Sequence, residues 1–326
     1  MFFRAVALLL FLFVPGGTFA QARESGTVSD YPARPIRFII GFLPGGVSDT
    51  IARIVSGKLS DQLKQRIVID TRPGAGGALA MGIVVEANPD GYTWYLAQPV
   101  VTISRLRSKD KFAYDPIKAL TPVSLLGSGP TIMVVHPSLP VTSVADIIKY
   151  AKSQPKGALI GSSGLGSTNH MAGELFKVMA DVPFVHVAYK GAAANALALM
   201  QGEIKIAFQP LAAAIPHIKA GRLKGIAVTG TKRARAMPDL PTIAETLPGF
   251  HVSAWYGIMV PTKTPSAVID YLSRQIRKVL GLPEIGEALL RSGVESEGSS
   301  PAEFARLIKE DAGRWEKLVK DAGIQL

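Results

Sequence analysis

Two short segments rich in glycine and hydroxyl residues have the composition of anion-binding loops. Residues 44–49 read Pro-Gly-Gly-Val-Ser-Asp, and residues 161–170 read Gly-Ser-Ser-Gly-Leu-Gly-Ser-Thr-Asn-His. Because glycine has no Cβ, the backbone N–H groups beside it approach a ligand closely. The first N–H groups of a following helix are also unpaired and favour negative charge. Each segment therefore predicts either an anion site or a tight strand-to-helix connection without a ligand.

The sequence around the first segment predicts a buried strand before it and a helix after it. Residues 36–42 form a nearly continuous apolar run, which is typical of a parallel strand buried on both faces. Ser48 and Asp49 suit the N-cap or the first turn of a helix. The apolar residues that follow are spaced as on one buried helix face: Ile51, Ile54, Val55, Leu59 and Leu63.

The next residues extend this start into a parallel β-α-β-α-β unit. We predict strands at 67–70 and 92–97 and a helix at 78–86, joined by short connections. In such sheets ligands bind beyond the carboxyl ends of the strands. Gly45, Gly46 and Gln98 should therefore lie at one rim.

A second α/β block contains the second segment. A strand at 158–160 leads into this segment, and an amphipathic helix follows it. Further strands are predicted at 185–189, 204–208 and 223–229. The two segments share one physical logic, so they could close on one anion from opposite sides.

The chain between and after these blocks has weaker signals. Residues 104–119 are charged and irregular and predict a surface excursion, and residues 127–130 predict a linker between strands at 120–126 and 131–135. From residues 255–260 the chain returns to the first block, and it ends with two helices, near 265–280 and 300–322. The predicted division is a signal peptide at 1–22, a first domain of 31–128 and 253–326, and a second domain of 129–252.

The composition excludes several classes of function. The chain of 326 residues contains no cysteine, which excludes thiol nucleophiles, cysteine metal sites and disulfides. Its formal net charge of +11 favours anionic partners, but the basic residues form no run that would indicate nucleic-acid binding. Residues 1–22 combine a positive charge, an apolar run and small residues around Ala20 and Ala22. This pattern predicts export with a signal peptide cleaved near one of these alanines.

No catalytic constellation is complete in the sequence. Neither glycine segment is followed by the lysine of a Walker loop, and Asn169 stands where a dinucleotide fingerprint needs its third glycine. A secreted hydrolase using Ser163 or Ser167 with His170 is an alternative, but it lacks an identifiable acid and the glycines of a nucleophile elbow. The five histidines are isolated, so we expect no metal and no cofactor. His170 is kept as a candidate ligand contact.

Several motifs, in this order and spacing, resemble the Bug family of extracytoplasmic solute receptors, the binding subunits related to tripartite tricarboxylate transporters. They are residues 42–49, 72–77, 88–93, 114–116, 164–170, 173–176, 187–191, 216–223 and 240–242. The resemblance spans the chain from Tyr31 to Ile324. Each motif alone is weak, whereas their combination is specific.

The resemblance implies an α/β fold of the type II periplasmic binding class, with two domains arranged as a Venus flytrap. Each domain would be a mainly parallel sheet flanked by helices. The implied function is a monomeric periplasmic receptor, not an enzyme, that closes on a small organic acid, usually a carboxylate. It would deliver the acid to the membrane subunits of a tripartite tricarboxylate-type transporter. A ligand sensor that presents its closed form to a signalling partner uses the same cleft and stays an alternative.

In that family the loops matching residues 42–49 and 163–170 hold the ligand through backbone N–H groups, hydroxyls and ordered water. The expected ligand-binding residues are Phe42, Gly45, Gly46, Val47, Ser48, Asp49, Gln98, Ser163, Gly164, Ser167, Thr168, His170, Tyr189 and Gln209. Asp49 would repel an anion, so we expect it to cap its helix or orient water. Phe42 and Tyr189 are either apolar walls or core residues.

Two positions depart from the family pattern. The third strand is followed by Gln98-Pro99-Val100, where the family usually has small residues. The strand ending at Phe208 is followed by Gln209-Pro210, where an acidic or amide pair is common. Both glutamines should face the cleft. They predict a less polar acid, either aromatic or longer-chain.

Overall fold

The computed structural model describes residues 30–74, 77–106 and 114–324. The predicted signal peptide, residues 1–22, lies outside the described residues. The strands of the described chain are β1 Ile36–Ile40, β2 Ile67–Thr71, β3 Thr93–Ala97, β4 Leu120–Val135, β5 Ala158–Ser162, β6 Phe184–Ala188, β7 Ile206–Pro210, β8 Lys224–Val228, β9 Ser253–Pro261 and β10 Glu295–Ser296.

Helices alternate with these strands along most of the described chain. They are α1 Val47–Leu63, α2 Ala78–Val85, α3 Val100–Ile103, α4 Pro116–Ala119, α5 Val144–Lys152, α6 Thr168–Ala180, α7 Ala192–Met200, α8 Leu211–Lys219, α9 Ser266–Leu280, α10 Pro283–Arg291 and α11 Pro301–Ala322. Short 3-10 turns lie at Ser104–Leu106 and Ile243–Glu245. The α/β class expected from the sequence is confirmed.

The sheet path runs β2-β1-β3-β9-β4-β7-β5-β6, with β10 and β8 paired to β4. The predicted parallel pairing is present in β2-β1-β3 and in β6-β5-β7. The strands in the middle of the path, β9 and β4, pair antiparallel with their neighbours. Two arrays therefore form, one with β2-β1-β3-β9 and one with β7-β5-β6. β4 pairs with strands of both arrays, whereas β9 pairs with β3 and β4.

β4 is continuous across both arrays, which corrects the prediction of a linker at residues 127–130. Its first part pairs with β9, and its last five residues pair with β7. The glycines that indicated a linker serve close packing instead. A Cβ on Gly127 would lie 2.9 Å from Val294 Cγ1 and would collide with the carbonyl oxygen of Glu295. The segment that contains β10 therefore presses on β4 where only glycine fits.

Separate hydrophobic cores form around the two arrays. Phe38 and Trp94 pack edge to face at 5.7 Å in the core under β1 and β3. Phe176 stacks on Phe184 at 5.6 Å in the core under β5 and β6. These observations support two lobes, whereas the exact domain boundaries at residues 128 and 253 stay a prediction.

The C-terminal helix α11 contacts both lobes. Phe304 and Ile308 pack in a core with strands β3 and β9, and Trp315 packs in the core of the second lobe. Ser300 and Glu303 form the predicted capping box at its start. Asp311 lies between these two contact regions and is 2 % exposed. α11 thus bridges the lobes through apolar contacts on both sides of a buried carboxylate.

Two other expectations need correction. Residues 104–119 were expected to form a surface excursion, but Ser104 is 1 % exposed and Pro116 is buried in α4, which Asp115 caps. Residues 107–113 lie outside the described residues. α10 was not predicted: it lies between the two helices predicted for the end of the chain, near 265–280 and 300–322. Pro283 stands at the first helical turn, where no N–H partner is lost.

Within the described residues, no helix combines the length and apolar character needed to cross a membrane.

Gly127→Ala should destabilise the protein by about 1–3 kcal/mol, because the new methyl group overlaps the backbone of Glu295. Gly286→Ala is the matched control, since nothing lies within 4 Å of its Cβ position in α10. Replacing this glycine inside a helix should raise the free energy of unfolding by about 0.5–1 kcal/mol. Urea denaturation of both variants measures the difference. Equal stability of the two variants would contradict the close packing between β4 and β10.

Candidate functional site

The first glycine loop joins β1 to α1. Gly46 is the N-cap of α1 without a capping side chain, and Gly45 has φ +79°, which favours glycine. The first amides of a helix have no partner in a preceding turn. In the described structure, none of the hydrogen bonds uses the N–H groups of Val47 or Ser48. This end of α1 therefore offers unpaired donors beside a glycine turn.

The Asp49 carboxylate links the first glycine loop to helix α1 by hydrogen bonds. Its Oδ2 accepts the N–H of Gly45 at 3.0 Å and Nε of Arg53 at 2.9 Å. Hydrogen bonding from Arg53 lowers the pKa of Asp49, burial opposes this effect, and the bond from Gly45 adds to it. The arginine balances the carboxylate charge, so the expected repulsion of an anion is reduced. In this structure the Gly45 N–H is engaged by Asp49, unlike its expected role as a ligand donor.

Gln98 meets Ser48 at the expected rim. Gln98 follows β3, and its Nε2 donates a hydrogen bond to Ser48 Oγ at 2.9 Å. Because the serine oxygen accepts this bond, its own proton is available for another acceptor. Ser48 is 6 % exposed. The pair fixes the orientation of a hydroxyl donor next to the start of α1.

Phe42 is half-buried and lies beside Gly77, where a Cβ would be 3.3 Å from the ring. It therefore has a packing partner in the fold. Leu43, the next residue, is 63 % exposed at the tip of the loop.

The second glycine loop joins β5 to α6 in the same way. Ser167 is the N-cap of α6, and its Oγ accepts the N–H of His170 at 3.2 Å. Ser163 Oγ accepts Asn169 Nδ2 at 2.8 Å. Ser163, Gly164, Ser167 and Thr168 are all half-buried. The hydroxyls expected at the ligand thus also shape the loop.

His170 points into the protein. Its ring is 3 % exposed, and its Nδ1 accepts the N–H of Gly166 at 3.2 Å. The ring lies against that of His186, with centroids 4.0 Å apart and the planes tilted by 34°, and its Nε2 lies 3.7 Å from Glu174 Oε1. This geometry favours a role in shaping the loop over the direct ligand contact expected from the sequence.

The two imidazoles are neutral. Burial lowers the pKa of His170 to about 3, and the neighbouring His186 and Lys177 act in the same direction. Burial also lowers the pKa of His186 to about 4. Burial raises the pKa of Glu174. The contact between His170 and Glu174 is therefore not an ion pair near neutral pH.

The hydrolase alternative gains no support from its own residues. The hydroxyls of Ser163 and Ser167 bond to Asn169 and the helix backbone, and the ring of His170 bonds to Gly166. A serine–histidine contact does occur at Ser162, whose Oγ lies 2.6 Å from His186 Nε2. Ser162 is 1 % exposed, so it is not presented to a substrate.

Gln209 and Tyr189 differ in their surroundings. Gln209 is the last residue but one of β7, is fully buried, and has no hydrogen-bond partner for either amide atom among the described residues. Tyr189 OH donates to Glu203 Oε1 at 3.0 Å, and its ring packs partly on a core. Core packing thus accounts for Tyr189, whereas the amide of Gln209 requires a polar partner.

Residues 98–103 connect the two loops. At one end Gln98 bonds to Ser48, and at the other Ile103 Cγ2 lies 3.6 Å from the Cβ position of Gly166. Thr102 Oγ1 lies 2.6 Å from Asp311 Oδ2, which fixes this segment to α11. The two glycine loops therefore border one short segment.

Three structural contributors were missed from the sequence. Arg53 lies four positions after Asp49 on α1, a spacing that places both on one face and could have revealed it. Ser162 and His186 come from different strands, β5 and β6, and only their pairing brings them together. No sequence signal links them.

A cavity of about 440 Å³ lies elsewhere. Its lining consists of residues from β4, β9, α11 and the chain before β9: Ser128, His251, Ser253, Trp255, Leu307, Glu310, Asp311 and Arg314. No residue of either glycine loop contributes to it. Within the described ranges, no group of three or more histidine, aspartate or glutamate side chains is arranged to hold a metal ion.

Comparisons with known proteins agree on one family. The family model described as "Tripartite tricarboxylate transporter family receptor" matches residues 51–324. BugT of Bordetella pertussis is 30 % identical over 298 residues, which cover 91 % of each chain.

Solved structures of similar proteins include ligand complexes. Rpa4515 of R. palustris with adipate has a TM-score of 0.85 and 36 % identity, covering 91 % of this chain and 99 % of that one. MatC from Rhodopseudomonas palustris with bound malate has a TM-score of 0.81 and 28 % identity, covering 89 % and 99 %.

Acid should destabilise the protein through His170. Because its pKa in the fold is about 3 and that of an unperturbed histidine is about 6.5, the unfolded chain binds a proton below pH 6.5 that the folded chain excludes. This contribution to stability is complete above pH 6.5 and is lost as the pH falls towards 3. Compared with the unaltered protein, His170→Asn should lose about 1–2 kcal/mol less unfolding free energy between pH 7 and pH 5.

Urea denaturation at the two pH values measures this difference. His136→Asn, in the turn after β4, is the matched control. An equal loss in the unaltered protein and in His170→Asn would show that His170 does not stay neutral in the fold.

Proposed function

Because the chain belongs to the tripartite tricarboxylate transporter receptor family, we propose that it captures a small carboxylate between its two glycine loops. The capture would take place in the periplasm, where the receptor hands the acid to the membrane subunits of a tripartite tricarboxylate-type transporter. Binding leaves the acid chemically unchanged, so the protein acts as a receptor and not as an enzyme. We expect it to work as a monomer.

The observation that carries this proposal is the meeting of two helix starts at one segment. α1 and α6 both begin at a glycine loop, and residues 98–103 contact both loops. Helix starts supply N–H donors and a favourable dipole without a fixed positive charge. A carboxylate placed there needs no arginine. Water bridges can complete its hydrogen bonds at little enthalpic cost.

We assign roles from the donors that remain available. The N–H groups of Gly46, Val47 and Ser48 bind one carboxylate group of the ligand. The Ser48 hydroxyl, which Gln98 orients, binds the same carboxylate. Gly45 and Asp49 close the loop behind them. This assignment replaces the expectation that the Gly45 N–H binds the ligand directly.

The second loop supplies the opposite wall. Ser163, Gly164, Ser167 and Thr168 are half-buried there and present hydroxyls and backbone at the start of α6. The buried amide of Gln209, near the end of β7, supplies a further polar group. His170 supports this loop from below.

The ligand we favour is a dicarboxylate with an apolar chain. Leu43 and Leu165, at the tips of the two loops, are 63 % and 51 % exposed. Burying such side chains against methylene groups is favourable, at roughly 25 cal/mol per Å² of apolar surface removed from water. Neither glutamine carries a charge that would select a third carboxylate. The adipate complex of Rpa4515 fits this class.

Closure would bend the molecule where the chain passes between the arrays. β4 continues from the first array into the second, and the chain returns to the first array at the start of β9, so we place the hinge there. This agrees with the proposed division into residues 31–128 with 253–326 and residues 129–252. In a hinge motion of this kind, only a few residues change their backbone dihedral angles.

Adipate should raise the melting temperature of the mature protein. A ligand at one hundred times its dissociation constant adds about 2.7 kcal/mol of stability. Adipamide is the matched control, because it has the same chain with uncharged ends. A thermal-shift series with adipate, malate, citrate, benzoate and adipamide tests the ligand class. A shift with adipamide alone would overturn the carboxylate proposal.

Gly46→Val should weaken acid binding at least tenfold, because its side chain would stand at the start of α1 where the ligand approaches. Gly46 has φ −79°, and the nearest atom to its Cβ position is 3.4 Å away. The backbone therefore accepts the substitution. Gly57→Ala, inside the same helix with open space around it, is the control. Calorimetric titration measures both affinities, and unchanged binding by Gly46→Val would exclude this helix start as the anion site.

A further inference from the structure

A chain of four polar groups lies under the second glycine loop. Ser162 Oγ is 2.6 Å from His186 Nε2, the tilted imidazoles of His186 and His170 have centroids 4.0 Å apart, and His170 Nε2 is 3.7 Å from Glu174 Oε1. The groups come from β5, β6 and α6. None of these four residues is the N-cap of α6, which is Ser167.

Two glycine amides of the loop bond to this group of residues, one to His170 and the other to Ser162, which contacts His186. The N–H of Gly166 donates to His170 Nδ1 at 3.2 Å, and the N–H of Gly164 donates to Ser162 Oγ at 3.1 Å. Both glycines have positive φ, of +72° and +120°. The loop shape is therefore fixed at two left-handed residues by acceptors beneath it.

The bond to Gly166 defines the protonation of His170. Nδ1 accepts an N–H, so it carries no proton, and the ring hydrogen is on Nε2, facing Glu174. A second proton on the ring would have to occupy Nδ1. It would then oppose the N–H of Gly166 and break the bond that holds the loop.

The surroundings contain few other charges. Glu174 and Lys177 lie on α6, and Lys177 acts on His170. The residues of β4, β5 and β7 include no ionisable side chain, and α11 contributes Trp315 and Leu318 to this core. His186 itself is the ionisable group from β6. Few neighbouring groups therefore titrate beside the two imidazoles.

We propose that His170 and His186 are positioning residues for ligand capture: as neutral imidazoles they hold the loop from Ser162 to Ser167 in the shape that presents α6 to a carboxylate. The inference rests on the proposed function for its effect on affinity. Its structural part concerns the loop alone. Because His170 can take up a proton once the loop opens and releases Gly166, acid favours the opened loop and so weakens capture.

Two substitutions of His170 distinguish the loss of its hydrogen-bond acceptor from the effect of replacing the side chain. His170→Asn keeps an acceptor oxygen near the position of Nδ1 and does not titrate, whereas His170→Leu removes the acceptor. Amide hydrogen exchange reports the loop directly, without any ligand. We expect protection of the Gly166 amide to fall at least tenfold in His170→Leu at pH 7.5 and to stay within threefold in His170→Asn.

The pH profile gives the second readout. Between pH 7.5 and pH 4.5, the unaltered protein should lose protection at Gly166 more steeply than His170→Asn. The reason is that the opened loop lets His170 take up the proton that the closed loop excludes, so acid favours opening. His136→Asn, outside the loop, should follow the unaltered protein.

The inference is overturned if His170→Leu protects Gly166 as well as the unaltered protein does, or if His170→Asn has the same pH profile as the unaltered protein. If His170→Leu does not fold, the profile of His170→Asn still decides. Failure of adipate to bind any variant at pH 7.5 would count against the proposed ligand class, while the exchange data would test the imidazole pair independently.

Discussion

The buried carboxylate of Asp311 fixes the segment on which both glycine loops depend. Its Oδ2 accepts Nε1 of Trp255 at 3.1 Å and Nε1 of Trp315 at 3.0 Å, and Thr102 Oγ1 lies 2.6 Å away. Arg314 pairs with the other oxygen. A carboxyl group that is 2 % exposed is tolerated because both of its oxygens have polar partners. Through Thr102 this junction fixes residues 98–103, which contact both loops.

The two glycine loops have the same position between a strand and a helix, but different side chains hold them in place. Both follow a parallel strand, contain glycines with positive φ and begin a helix. The first is closed by a carboxylate whose charge Arg53 balances, and the second by neutral imidazoles. Neither support adds net charge next to the helix start. The helix dipole and its free N–H groups therefore dominate the local field.

Sequence patterns predicted most of this fold and much of the site. The period of α1, the capping box of α11 and the strand-to-helix loops are local signals, and the structure confirms them. The linker at residues 127–130 was wrong because a glycine-rich strand and a glycine-rich loop have the same composition. What distinguishes them is the backbone of Glu295, more than 160 residues away. The pairing of His170 with His186 could not be predicted, since it depends on the register of β5 with β6.

The course of the chain through β4 has a consequence for folding order. The second array is built from consecutive chain, because β4 to β8 follow one another before β9 begins. The first array instead needs β9 between β3 and β4, and the pairing of Tyr95 with Met259 closes a very long loop. Long-range pairing of this kind is entropically costly and slow to form. The lobe that contains the start of the described chain therefore completes its sheet last, after almost the whole polypeptide has been made.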